Sequence, residues 1–268
     1  MNRGDFMWNR VELKKTAGER LKSYQRKAIL VSLIIIVLES LPAIFNNEKV
    51  LRLIDKMVSV DLNLTEDGLR NYFMYCTDIF TPNGPVETIL SDIPLFGWVL
   101  AYVIFRLVLT YLILRPLKVG QNAFYYKNRL EETSIDELVY AFDARHYKNI
   151  VKTEFITYMH IWFYTLLFII PGIMYSFVYY LVPYILVEDP MISTKEAMEL
   201  SKKMTDGHKK EMFVYAFSFI GWDILGMLTF GLSDIFYGVP YRQAADAELY
   251  FELKHFYNSK LIGTAECE

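Results

Sequence analysis

In a chain of 268 residues that is 53% hydrophobic and 16% aromatic yet 22% charged, the apolar residues are either dispersed or gathered into blocks. They are in blocks: Ala28–Phe45 and Ile93–Leu114 each hold one charge, and Phe155–Val187 holds none. Runs of this length and polarity read as membrane spans. That excludes a soluble enzyme and a disordered chain, and a net charge of −3 offers nucleic acid no basic footprint.

Residues 1–27 carry eight Lys or Arg and read as a cytoplasmic amphipathic helix. No small-residue cleavage site follows Ile34–Ile36, and Glu39 interrupts the apolar run, so residues 28–45 are predicted as a retained first span rather than a signal peptide. Residues 46–92 form an acidic outer loop. Within it, Val50, Leu51, Ile54, Met57 and Val58 make one apolar helical stripe, and Thr65-Glu66-Asp67 opens a second candidate helix. The second span covers residues 93–114 and stops at Arg115-Pro116; residues 115–152 return to the cytoplasmic side.

The stretch Thr153–Val187 would be about 52 Å long as one helix, too long for a core of about 30 Å without extreme tilt. A turn at Pro171-Gly172 divides it into spans 153–170 and 173–187. Residues 188–210 form another cytoplasmic amphipathic segment, with Glu188-Asp189 beside Pro190 reading as a solvated turn. Ser193 or Thr194 followed by Glu196 marks a helix start. A last pair of spans, 211–230 and 232–253, turns at Gly231, and 254–268 is a cytoplasmic tail. With six spans, 22 of the 28 Lys and Arg fall on the inner side, four in the outer loop and two, Arg106 and Arg242, within spans, as cytoplasmic loops demand.

Val11–Lys27, Ser134–Lys152 and Ser193–Lys210 are each charged amphipathic stretches ahead of a hairpin. The predicted fold is therefore all-α: a single polytopic membrane bundle of six transmembrane helices in three hairpins. Each hairpin is preceded by a cytoplasmic amphipathic helix lying along the inner surface, and a helical extracellular loop caps the outside.

Five of the ionisable residues within the spans fall near mid-depth: Glu39, Arg106, Asp223, Arg242 and Asp246. At 1.5 Å per residue they lie about 10 to 21 Å below the outer surface, in one band around the midplane. Arg242 and Asp246 are four apart on one helix and can pair; Glu39 with Arg106, and Asp223 with Arg242, are further pairs. Such a band is either a set of ion pairs that fixes helix register or a polar cavity for a charged or zwitterionic ligand. His160 is a candidate for a proton or polar relay beside it.

No catalytic constellation, metal-ligand spacing or cofactor motif stands out, and Cys76 and Cys267 are too few for a disulfide framework. The expected function is non-enzymatic: an accessory, interaction or immunity-type partner of another membrane component. A transporter or lipid- or peptide-binding protein using the midplane charges is the alternative. The expected partners are membrane lipids and another membrane protein or a peptide on the extracellular face.

Leu166–Gly172 (LLFIIPG), Val182-Pro183-Tyr184-Ile185-Leu186, Glu188-Asp189-Pro190, Ser193–Ser201 (STKEAMELS), Gly207-His208-Lys209, Phe219-Ile220-Gly221-Trp222 and Pro240-Tyr241 are met in that order. In this the chain resembles the bacterial integral-membrane family called domain of unknown function 975, most closely from Thr165 to Leu253. The resemblance implies a membrane fold in a bacterial plasma membrane and brings no established activity. Residues 46–92 look longer and more acidic than that family leads one to expect.

Overall fold

A computed structural model describes residues 9–44 and 93–265; the expected outer loop 46–92 lies outside the described residues. Every regular element among them is helical. The chain divides into two compact units, residues 1–38 with 111–268, and residues 39–110.

Helix α1 (Arg10–Ile44) starts where the Asn9 carboxamide oxygen accepts the Val11 N–H at 2.9 Å, and it kinks at Tyr24. One buried stripe runs through the kink: Leu13, Ala17, Leu21, Tyr24, Ala28, Val31 and Ile35. This differs from the expectation for the amphipathic segment, whose apolar face is covered by protein rather than lying on a surface. The opposite face changes character at Ala28. Lys15, Glu19, Lys22 and Arg26 are exposed before it, and Leu30, Leu33, Ile34 and Val37 after it.

Helix α2 (Ile93–Leu109) leads through a π-helical turn, Thr110–Leu114, into α3 (Arg115–Leu130). Pro116 has no N–H to return to the Leu112 carbonyl one turn earlier. That carbonyl instead accepts the Tyr147 hydroxyl at 2.8 Å. A 3₁₀ segment, Ile135–Phe142, folds back on α3 so closely that a Cβ on Gly120 would stand 2.0 Å from the Leu138 carbonyl oxygen. The middle stretch Ser134–Lys152 is thus this segment, a turn and the start of the next helix, not one amphipathic helix.

Helix α4 (Tyr147–Leu167) ends at Phe168, whose extended backbone (φ −156°, ψ 136°) turns the chain into α5 (Ile169–Val178). The turn therefore precedes Pro171-Gly172, because proline is tolerated in the first turn of a helix, where N–H groups have no intrahelical acceptor. Tyr164 stacks on Tyr175 at 3.7 Å between centroids, and Gly172 lies against Thr165.

The short α6 (Val182–Glu188) is almost wholly buried, and α7 (Thr194–Thr205) starts with a capping box between Ser193 and Glu196. Helices α8 (Lys209–Phe217) and α9 (Ile220–Leu228) follow end to end. The Gly231 N–H bonds the Gly226 carbonyl at 2.8 Å while Phe230 and Gly231 take positive φ, a Schellman-type reversal. A π-turn (Asp234–Gly238) then opens α10 (Val239–Ala265).

Among the described residues, three helical stretches are long and apolar enough to cross a membrane: Leu100–Leu130, Ile169–Glu188 and Lys209–Leu228. That is three where six were expected. Ala28–Ile44 is helical but runs to the edge of the described residues. In α4, Lys152, Glu154 and His160 dilute the hydropathy, and beyond Leu232 so do Asp234, Arg242, Asp246 and Glu248.

Two measurements probe this packing. Gly120→Ala is expected to cost about 1–3 kcal/mol, because backbone must move to admit the methyl group. Gly221→Ala, with nothing within 4 Å of the added atom, should be neutral or slightly stabilising in the same thermal melt. Burial beside the Phe256 ring, 4.8 Å away, pushes the His208 pKa below its ordinary value of 6.5. Protonation then favours the unfolded chain, so stability is constant well above pH 6.5 and falls as pH drops below it. His208→Gln should flatten that fall in melts recorded between neutral and mildly acidic pH.

Candidate functional site

The antiparallel reversal at Phe230-Gly231 brings Asp223 on α9 opposite Arg242 on α10. Arg242 grips it in bidentate fashion, Nη1 to Oδ1 at 3.0 Å and Nη2 to Oδ2 at 3.4 Å. Asp246, expected as the direct partner of Arg242 one turn away, is held otherwise. It is buried, and it accepts the Tyr215 hydroxyl at 2.8 Å and that of Tyr180. The reason is geometric, since the guanidinium fork is already committed to Asp223.

Arg242 and Lys14 both lie against the buried Phe219 ring, at 5.2 and 3.7 Å from its centroid. A recess of about 100 Å³ beside the ion pair is lined by Phe219, Trp222, Asp223, Asp234 and Arg242, room for a few water molecules. Gly226 and Gly238 leave space for the Asp234 carboxylate, since a Cβ on either would stand 2.1 or 2.8 Å from its oxygens.

Glu39, half-buried near the end of α1, and Arg106, exposed on α2, belong to the second unit, and the contacts above are made without them. His160 is exposed; its Nδ1 lies 2.9 Å from the Ile156 carbonyl oxygen of its own helix. It faces a groove between α4 and the start of α7, not the Asp246 cluster.

Two polar clusters escaped the reading of the sequence. Glu248, only 6% exposed, lies between Arg20 on α1 at 3.2 Å and Arg129 on α3 at 2.9 Å. Arg129 also lies flat over Phe251, at 3.2 Å. Glu188, read as part of a solvated turn and exposed in the structure, also accepts from Tyr126, Tyr250 and Lys254. The polar side chains late in the chain, after Arg242, were the available signal for the first; nothing local to Glu188 announced the second. A third buried carboxylate, Glu154, was read as part of an apolar span; its Oε1 has no hydrogen-bond partner among the described residues.

Chemically, Asp223, Glu188 and Glu248 are compensated by partners on other helices, which locks α1, α3, α6, α9 and α10 in register. Among the described residues no cluster of three or more His, Cys, Asp or Glu forms a metal site.

Together these features define, among the described residues, an all-helical architecture with three helices long and apolar enough to cross a membrane. Residues 86–256, more than half the chain, match the family described as "Protein of unknown function (DUF975)", and the chain belongs to that family. No curated protein and no solved structure matches it.

The Glu248 clamp is open to a direct test. Arg129→Met should cost about 3 kcal/mol by stranding a buried carboxylate with a single half-exposed partner. The double substitution Arg129→Met/Glu248→Leu should recover much of that loss, measured by denaturant or thermal unfolding in detergent.

Proposed function

We propose that this protein is a non-enzymatic multi-pass membrane protein of the bacterial cell membrane that serves as an accessory or immunity-type partner of another membrane component. One observation carries the reading: the charges gathered where α8, α9 and α10 meet face partners of the protein's own. Arg242 is bidentate to Asp223, Asp246 accepts the Tyr215 hydroxyl, and the recess beside them has room for only a few waters. A translocation path would need an open polar cavity there. What the described part does display is apolar helix surface suited to lipid or to a membrane partner.

In this reading the bundle has six membrane-inserted segments. The second half of α1, the outer part of α4 and the chain from Leu232 join the three candidate spans. The exposed stripe Phe155, Met159, Trp162, Phe163 and Leu166 on α4 supports its place. The basic residues, 22 of 28 on one side, support cytoplasmic termini. The acidic loop 46–92 then faces outward, where a protein or peptide partner would meet it.

Photo-crosslinking from Phe163 and Phe217 in native membranes tests the proposal. A discrete heterologous adduct is expected, lost when residues 46–92 are deleted. Absence of any adduct, together with solute uptake into proteoliposomes that Arg242→Ala abolishes, would replace it with the transport reading.

A further inference from the structure

An open groove of about 650 Å³ lies between α4 and the start of α7. Its walls are built rather than incidental. The Asn149 carboxamide donates to the Pro190 and Ile192 carbonyls at 2.9 and 2.8 Å, fixing the α6–α7 loop to α4. One turn along, the Thr153 and Thr194 hydroxyls meet at 2.9 Å. Lys152 from one helix and Lys195 from the other line the groove, and Ile156 and Met198 give it an apolar floor.

The charge balance in the groove is one-sided. The Glu196 carboxylate is turned back onto Ser193 in the capping box, and Asp189 accepts the Met191 N–H of its own turn. Glu199 is paired with Lys203 at 2.9 Å. Neither Lys152 nor Lys195 forms an ion pair among the described residues. Two ammonium groups therefore face one cavity whose neighbouring carboxylates are occupied elsewhere.

Lys152 of the groove also stands one turn before an apolar track on α4. From Phe155 through Met159, Trp162 and Phe163 to Leu166, exposed side chains follow one face of α4 for about 16 Å. That is about the depth of one leaflet, half of a hydrocarbon core of roughly 30 Å. A ligand with a compact anionic head and a hydrocarbon tail fits both features together; a free anion would use only the first. The geometry points to a binding site for an anionic phospholipid, its headgroup phosphate between Lys152 and Lys195 and an acyl chain along the α4 stripe. The inference rests on the membrane reading above and gives that surface a specific occupant.

The test uses the full chain reconstituted in phosphatidylcholine bilayers containing a minor share of phosphatidylglycerol, then extracted gently and analysed by native mass spectrometry. Retained phosphatidylglycerol is expected, and Lys152→Gln/Lys195→Gln should weaken its retention by about tenfold or more. Lys202→Gln/Lys210→Gln removes the same charge from exposed positions outside the groove and should leave retention unchanged. Because all four lysines are exposed or at the groove, the core is untouched and both variants should melt as the parent does. Equal loss in the two variants, or no loss in either, overturns the site. Displacement of the lipid by millimolar inorganic phosphate would reassign the groove to a free anion. Carbonate washing of membranes separates the two levels of inference. Release of the chain sinks the membrane reading, whereas a carbonate-resistant chain without groove-dependent lipid sinks only the lipid site.

Discussion

The structure depends most on a carboxylate that would be prohibitively placed were it alone. Glu248 is buried midway along α10, and its two oxygens are met by Arg20 of α1 and Arg129 of α3. Desolvating a carboxylate costs several kcal/mol, and the attraction of its partners offsets that only when the geometry is tight. The cost therefore acts as a constraint on register. A shift of one residue along α10 would carry Glu248 away from both arginines, and the Tyr215–Asp246 hydrogen bond two residues earlier would break with it. Three elements far apart in sequence are thereby held at one relative height, and the apolar stripe of α1 from Leu13 to Ile35 packs against what results.

From that clamped region the helices extend outward with a different surface. Their buried side chains thin out, and their exposed ones become apolar: Leu30 to Val37 on α1, Met159 to Leu167 on α4, Ile220 to Leu228 on α9. The reversals that cap two of these extensions are apolar as well, Leu166–Ile170 and Met227–Leu232, with Phe230 98% exposed in a left-handed conformation. A polar residue at such a turn would be the ordinary choice in water. Exposed apolar surface of this extent marks contact with lipid or with another protein. The unit formed by residues 1–38 and 111–268 thus combines a charge-clamped core with exposed apolar helix faces.

The sequence was legible where a local signal has one physical outcome. Ser193 with Glu196 could only profit as a capping box, and Gly231 in an apolar stretch could only profit as a reversal. It was legible less well where the signal permits two outcomes. Pro171 is compatible with a turn at its own position or with the first turn of a helix that follows a turn, and packing of Tyr164 on Tyr175 selected the second. It was illegible where the determinant is distant. Nothing near Glu188 reveals that Tyr126, Tyr250 and Lys254 will converge on it, and nothing near Lys14 reveals the Phe219 ring beneath it. The midplane charges sit between these cases. Their presence was evident, but an i,i+4 pairing of Arg242 with Asp246 lost to a cross-hairpin pairing that the reversal makes nearly coplanar.

That outcome bears on what the charges are for. A guanidinium that could reach two carboxylates and is bidentate to only one leaves the other, Asp246, to neutral phenol donors in a closed core. Arrangements built to receive a charged ligand keep at least one strong donor or acceptor facing open space. Here Asp246 and Glu248 are turned inward, toward a tyrosine hydroxyl and two arginines of the bundle. Lys152 and Lys195, which form no ion pair among the described residues, instead line an open groove between α4 and α7. Position, more than number, separates the two populations of charge: those within the bundle set its register, and those at its edge are free to meet an anionic partner.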